Sequence, residues 1–201
     1  MNPLWPQTPR SLLTRIASLP AGEDEAEWAK FVELYGPAID KFVRLRDPGI
    51  PDADVEDMVQ DTLAKLVPLL RKRAFDPRRA KFSTWLGTIV RRQMIDRMRR
   101  RNVRNMDAQV QLTPDMEEAA DSDPAATIDR DWRLACHKAA VQHVFAHSAL
   151  SEQSRRIYLM STEEGLSAKE IADRLGLEAN AVRSIRSRVA KMIAAAASQF
   201  D

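Results

Sequence analysis

A dense block of basic and aromatic side chains lies near the middle of the chain. Residues 65–105 hold 14 basic residues and two acidic ones, a net charge of +12, whereas the whole chain carries only +2. Phe75, Phe82 and Trp85 are interleaved with these cations. Cations follow a phosphate backbone and aromatic faces stack on unpaired bases, so the block predicts binding to single-stranded or melting DNA. The alternatives are a solvated basic helix face and, for Phe82 and Trp85, packing in the core.

The last third of the chain has the layout of a helix-turn-helix. Ser167 and Glu170 are spaced as a capping box, in which each side chain accepts a hydrogen bond from the backbone N–H of the other. Gly176 suits the left-handed exit of this short helix, and a basic helix follows to about residue 197. In such a motif the second helix enters the major groove, so the segment predicts binding to duplex DNA. An ordinary helical hairpin with a charged surface is the alternative.

The polar side chains of these two helices fit that task. Arginine can grip guanine and asparagine can grip adenine, each through two hydrogen bonds. We expect the start of the second helix to face base edges, and Arg186, Arg188 and Lys191 to hold phosphates. The residues predicted to contact duplex DNA are Ser167, Lys169, Asn180, Arg183, Ser184, Arg186, Ser187, Arg188 and Lys191.

A third cluster is acidic and opens the helix predicted to begin at residue 52 or 54. Asp54, Asp57 and Asp61 share one face of that helix, whereas Glu56 and Asp57 diverge by about 100°. A metal-dependent nuclease is one interpretation, but no histidine and no second carboxylate cluster lie nearby in the sequence. We therefore favour a helix start stabilised by the helix dipole, or a protein-binding face. We expect no catalytic residue, metal or cofactor.

Apolar residues at helical spacing predict an all-α fold. The helix predicted over 131–146 is expected to bury Leu134, Val141, Val144 and Phe145, and Pro68 is expected to end or kink an earlier one. Eight acids and a single arginine lie in 107–131, which predicts an acidic, flexible linker between two small helical domains. The expected organisation is an N-terminal extension over 1–23, a helical domain over 24–104, the linker over 105–130 and a helix-turn-helix domain over 131–201.

The sequence also bears on location. Residues 1–16 contain three prolines and no long apolar run, which is unlike a secretory signal. No stretch approaches the roughly 20 apolar residues that a membrane helix needs. We therefore expect a cytoplasmic protein that does not bind a membrane, with the single Cys136 as a small apolar filler on a helix.

These pieces, in this order, resemble the extracytoplasmic-function (ECF) sigma factors of bacterial RNA polymerase over residues 25–195. The resemblance rests on 54–63 with its Glu56-Asp57 and Gln60-Asp61 pairs, on 82–96 with the basic run that follows, and on the helix-turn-helix. Two positions depart from the family pattern. Arg92 stands where the family commonly has asparagine, and an arginine and an apolar residue are exchanged at 185–186.

The resemblance implies specific roles and partners. In the family, the acidic helix docks on the clamp helices of the polymerase β′ subunit, and the basic helix with its preceding loop binds the −10 promoter element and holds a flipped base. The second domain reads the −35 element beside the β flap, the linker threads toward the active-site cleft, and an anti-sigma factor often holds the protein inactive. The residues so assigned to polymerase docking are Asp54, Glu56, Asp57, Val59, Gln60, Asp61 and Leu63. Those assigned to −10 binding and melting are Arg78, Arg79, Lys81, Phe82, Trp85, Arg91, Arg92, Asp96, Arg99 and Arg100.

A stand-alone helix-turn-helix regulator that binds duplex DNA without polymerase is the principal alternative. The first domain discriminates between the two. A simple repressor has no use for a docking helix at 54–63 or for the basic and aromatic block.

Overall fold

The computed structural model describes residues 9–18, 25–72, 74–76, 78–104 and 124–200. Every regular element in these ranges is helical, which confirms the predicted all-α fold. The described residues divide into two compact units, an N-terminal unit of 9–136 with Phe200 and a C-terminal unit of 137–199. The helices are α1 (Pro9–Ser18), α2 (Glu25–Arg46), α3 (Asp52–Arg71), α4 (Phe82–Arg104), α5 (Pro124–His147), α6 (Glu152–Thr162), α7 (Ala168–Leu175) and α8 (Ala179–Ala197), and a short 3₁₀ turn over Ser198–Phe200 follows.

Three amphipathic helices build the core of the N-terminal unit. On each helix, apolar side chains three and four positions apart form one buried stripe. The burial of each large apolar side chain stabilises the fold by about 1.5–3 kcal/mol. Pro68 does not end α3, because a proline in the last turn removes only one hydrogen bond and Leu70 beyond it stays buried. The buried stripes are Phe31, Tyr35, Ile39 and Phe42 on α2, Val55, Met58, Leu66 and Leu70 on α3, and Leu86, Val90 and Met94 on α4.

The segment expected to be an N-terminal extension contributes a helix to this core. Leu12, Leu13 and Ile16 of α1 are buried, and α1 packs against α2 and α3. Arg15 Nε lies 3.0 Å from a carboxylate oxygen of Glu27, which ties α1 to α2. Burial raises the pKa of the Glu27 carboxyl, but hydrogen bonds and positive charge from Arg15 and Lys30 outweigh it, so that pKa lies below its ordinary value of 4.5.

The fifth helix begins earlier than the sequence predicts. It starts at Pro124, so the last seven residues of the predicted linker are helical, while 105–123 lie outside the described residues. The prediction that Leu134 faces inward is wrong, since this side chain is 45% exposed. Val144 is buried as predicted, whereas Val141 and Phe145 are half-buried. Four small side chains, Ala135, Cys136, Ala139 and Ala140, complete the buried stripe together with Ile128, Trp132 and Val144.

The first half of α5 packs inside the N-terminal unit. Trp132 is 1% exposed and its ring centroid lies 5.6 Å from that of Phe42 on α2. Gly87 on α4 lets Ile128 approach so closely that a Cβ atom at position 87 would lie 2.7 Å from Ile128 Cγ2. Arg46 at the end of α2 forms an ion pair of 2.5 Å with Asp131 on α5, which adds a polar contact between these two helices.

The C-terminal unit gathers α6, α7 and α8 around one small core, formed by Ile157, Met160, Ile171, Ala172 and Val182 with their neighbours. The turn between α7 and α8 follows from its residues. The predicted capping box of α7 is present, and Gly176 ends the helix at a φ of 64°, where residues other than glycine are strained. The α7–turn–α8 layout of a helix-turn-helix is therefore built as the sequence predicts.

Candidate docking and nucleic-acid surfaces

An acidic face lies on the solvent side of α3. Glu56, Asp57, Gln60 and Asp61 are exposed, and Val59 beside them is half-buried. The four exposed residues, here called the acidic face, lie opposite the buried stripe of α3, because positions three and four apart share one side of a helix. By the same rule Val59 lies on the side of Val55 and Leu63. A protein partner with basic side chains would match this face in charge.

Two further residues assigned to docking, Leu63 and Asp54, do not belong to the acidic face. Leu63 is only 3% exposed, so its assignment as a docking contact is wrong, and the side chain is part of the core. Asp54 is about one-third exposed and forms an ion pair with Arg97 of α4. This carboxylate already has a partner within the chain.

A basic face occupies the solvent side of α4. Arg92, Asp96 and Arg99 are exposed at successive spacings of four and three residues, on the side away from the buried stripe of the helix, and Arg100, which follows directly, is also exposed. These four residues are here called the basic face, and Arg91 at its edge is half-buried. Three guanidinium groups on one helix face provide a track for a phosphate backbone.

The loop before α4 adds three more exposed cations, Arg78, Arg79 and Lys81. Asp76 shapes this loop by accepting a hydrogen bond of 2.9 Å from the backbone N–H of Arg78. The cations stand just before the N-terminus of α4, where the helix dipole also favours an anion. Loop and helix therefore both favour phosphate.

An aromatic cluster connects this loop to the core. Phe82 is 8% exposed and its ring contacts those of Phe31, Tyr35, Phe75 and Trp85 at centroid distances of 5.2–6.1 Å. Its assignment as a DNA contact is wrong, because a ring enclosed in the core has no free face. Phe75 and Trp85 are half-buried, and their ring centroids lie 5.5 Å apart. They are the two rings of this cluster beside the basic loop with exposed area for a base, and Phe75 was absent from the assigned set.

The second candidate DNA surface lies on α8 and the start of α7. Ile185 is half-buried against the core, so the exchange at 185–186 keeps an apolar side chain facing inward and leaves Arg186 half-buried. The guanidinium of Arg183 donates a hydrogen bond to the side-chain oxygen of Asn180 one turn earlier. The remaining predicted DNA contacts are all exposed, namely Ser167, Lys169, Asn180, Arg183, Ser184, Ser187, Arg188 and Lys191.

Two of these residues, Ser167 and Arg188, also have structural tasks within the C-terminal unit. Ser167 Oγ accepts a hydrogen bond of 3.3 Å from the backbone N–H of Glu170, and the carboxylate of Glu170 accepts one of 2.8 Å from the backbone N–H of Ser167. Hydrogen bonds to this carboxylate from the side chain and the backbone N–H of Ser167 hold the pKa of Glu170 below its ordinary value. Arg188 donates a hydrogen bond of 3.4 Å to Ser154 Oγ, which links α8 to α6.

Two kinds of feature are absent from the described residues. Within them, no group of three or more histidine, cysteine, aspartate or glutamate side chains is arranged to hold a metal ion. Among the helices described here, none is both long and apolar enough to cross a membrane.

Comparison with known proteins places both units. Residues 31–104 match the family Sigma-70 region 2, and residues 145–193 match Sigma-70, region 4. The ECF RNA polymerase sigma factor SigF of Caulobacter vibrioides is 27% identical, over 85% of this chain and 86% of its own length. The RNA polymerase sigma factor CnrH of Cupriavidus metallidurans is 29% identical, over 83% and 84%, and the RNA polymerase sigma factor NccH of Alcaligenes xylosoxydans xylosoxydans is 29% identical, over 84% and 86%.

Among solved structures, that of CnrH in complex with the cytosolic domain of CnrY is similar, at 24% identity, with 92% of this chain and 94% of that chain covered and a TM-score of 0.37. The matches to region 2 and region 4 together span more than half of the chain, and a stand-alone regulator would need only the second. The chain belongs to the ECF sigma factors, a family of regulatory subunits that direct RNA polymerase in transcription initiation.

Proposed function

We propose that the two units divide the work of promoter recognition. The N-terminal unit docks on core RNA polymerase and melts the −10 element, and the C-terminal unit reads the −35 element. The observation that carries this proposal is the separation of charge on two neighbouring helices. The acidic face of α3 and the basic face of α4 are both exposed, so one unit offers one surface for a protein and another for DNA.

The acidic face is the polymerase-docking surface. Its three carboxylates are exposed, so they can meet basic side chains on a helical partner such as the clamp helices of β′. Val59, half-buried on the neighbouring side of α3, offers an apolar contact. Exposed charge pairs steer association more than they add affinity, and each pair contributes little by itself. Docking therefore depends on several of these carboxylates acting together.

The basic face and the loop before α4 hold the melted strand. Flipping a base costs a few kcal/mol, and stacking on an aromatic side chain returns about 1–3 kcal/mol per base. Phe75 and Trp85 are the rings that supply this stacking, while Arg92, Arg99 and Arg100 hold the phosphates.

The C-terminal unit reads duplex DNA through α8. Asn180 and Arg183 stand at the start of the helix, where a recognition helix meets base edges, and Lys191 lies two turns further on among phosphates. Contact of this unit with the β flap, entry of the acidic linker into the polymerase cleft and control by an anti-sigma factor stay predictions from the family resemblance. We also place the protein in the cytoplasm with its polymerase.

A charge-reversal experiment tests the docking surface. In the variant Asp57→Lys/Asp61→Lys, the purified protein should lose capture of core polymerase while it keeps binding to a duplex promoter fragment. Glu33→Lys is the matched control, because Glu33 is an exposed acid of the same unit outside the acidic face. It should retain both activities. Equal capture by all three proteins would contradict the proposed docking surface, and capture by none would favour a stand-alone regulator.

A further inference from the structure

Among the described side chains, two polar contacts join α3 and α4, whose facing stripes are largely apolar. The first is a hydrogen bond of 3.1 Å from Gln93 Nε2 to Thr62 Oγ1. Both residues are buried: Thr62 has no exposed area, and Gln93 is 8% exposed. Around them the facing stripes of the two helices are apolar, with Met58 and Met94 as examples.

The second polar contact is the ion pair between Arg97 and Asp54. Arg97 follows Gln93 by one helical turn on α4, whereas Asp54 precedes Thr62 by two turns on α3. The two contacts thus follow one another in opposite directions along the two helices, so α3 and α4 pack antiparallel. The pair holds Arg97 against α3, although it lies in the sequence among the cations of the basic face.

These contacts fix one register for the helix pair. Apolar side chains are tolerant partners, so a stripe of leucine, valine and methionine can pack in more than one register. A slip of one helical turn, about 5.4 Å, would separate Gln93 from Thr62 and leave a buried amide and hydroxyl unpaired. Each unpaired buried group costs about 1–3 kcal/mol. A single buried polar pair can therefore select the register where apolar packing does not.

We propose that Gln93 and Arg97 are positioning residues that set the acidic face and the basic face at a fixed offset, and that Arg97 does not contact DNA. The inference rests on the proposed function, because the offset matters only if the two faces engage polymerase and promoter together. A sigma factor held on polymerase by α3 presents α4 to the melting strand. The register of α4 on α3 then decides whether the basic face reaches that strand.

Salt dependence separates positioning from DNA contact. Each cation that neutralises a phosphate contributes about 0.9 to the slope of log affinity against log salt on duplex DNA, and about 0.7 on a single strand. The experiment measures holoenzyme binding to a promoter at several salt concentrations. Arg99→Gln is the matched control, since it removes the same charge from an exposed position two residues away. Arg99→Gln should lower the slope by about 0.7–0.9, whereas Arg97→Gln should leave the slope at its wild-type value.

Open-complex formation supplies the second readout. Permanganate reactivity of unpaired thymines should fall about fivefold in Arg97→Gln holoenzyme at equal polymerase binding, the effect of about 1 kcal/mol of coupling between the two faces. The swapped pair Asp54→Arg/Arg97→Asp should restore most of the signal. Thr62→Val/Gln93→Leu replaces both partners of the buried hydrogen bond by apolar groups, so it should fold well yet still form fewer open complexes.

The outcomes decide between the alternatives. A lower salt slope in Arg97→Gln would make Arg97 a phosphate contact and overturn the inference, as would wild-type open-complex formation in both Arg97→Gln and Thr62→Val/Gln93→Leu. If the wild-type protein fails to direct any specific start, the proposed function itself fails instead. If the wild-type protein does start transcription at specific sites, wild-type behaviour of the variants counts against the positioning role alone and not against the proposed function.

Discussion

Replacing Gly87 by alanine tests whether the first half of α5 belongs to the N-terminal unit. The new Cβ would lie 2.7 Å from Ile128 Cγ2, whereas ordinary contacts of this kind are 3.4–4 Å, so Ile128 would have to retreat by about 0.7 Å. A β-branched side chain has little rotamer freedom in a helix, and Trp132 and Phe42 lie within 4 Å of the same point. Overpacking of this kind costs about 1–3 kcal/mol.

The gain in helix propensity opposes this cost. Alanine is favoured over glycine inside a helix by about 0.8–1.0 kcal/mol, so Gly87→Ala should lower the free energy of unfolding by up to about 2 kcal/mol. Gly36→Ala in α2 is the matched control, because a Cβ at position 36 meets nothing within 4 Å. It should instead raise the free energy of unfolding by up to about 1 kcal/mol.

Urea unfolding monitored by tryptophan fluorescence measures this difference, since Trp28, Trp85 and Trp132 all lie in the N-terminal unit. In an Ile128→Ala background the clash is removed, and Gly87→Ala should then become as stabilising as Gly36→Ala. Equal stabilisation by the two alanine variants in the wild-type background would refute the packing of α5 against Gly87.

Three further outcomes are expected. Ser167→Ala should lower the stability of the C-terminal unit by about 1 kcal/mol in urea unfolding, because it removes the cap of α7. The folded-state pKa of Glu27 lies below its ordinary value of 4.5, so the ion pair with Arg15 stabilises the protein above pH 4.5 and loses this effect as the pH falls through the folded-state pKa. The urea midpoint should therefore fall less steeply from pH 6 to pH 3 in Glu27→Gln than in the wild type. Phe82→Ala should cost about 3–5 kcal/mol of stability, whereas Trp85→Ala should mainly reduce permanganate-reactive thymines, and the reverse pattern would contradict the assigned roles.

The local structure could be read from the sequence where the cause is local. The capping box at Ser167 and the glycine exit at Gly176 depend on residues within a few positions of one another, and both are present as predicted. Apolar periodicity likewise predicts the helices of both units, apart from α1, which lies in the segment expected to be an N-terminal extension. The start of α5 was missed because its first turns hold acids and alanines, and Ile128 and Trp132 become an apolar stripe only once α2 and α4 are packed against them.

The site could be predicted only in part. Periodicity defines a stripe but not its edges, so Leu63 and Phe82 were assigned to surfaces although they lie at the margins of buried stripes. The pairing of Arg97 with Asp54 joins residues 43 positions apart, and nothing near either residue in the sequence indicates it. The tight approach at Gly87 likewise depends on a helix that follows some forty residues later.

The most direct test of the central claim is transcription in vitro with purified core RNA polymerase, this protein and a library of promoter fragments, followed by sequencing of the RNA 5′ ends. Specific starts preceded by two shared sequence elements, one near −10 and one near −35, are expected. Binding to duplex DNA with neither capture of core polymerase nor specific starts would contradict that claim.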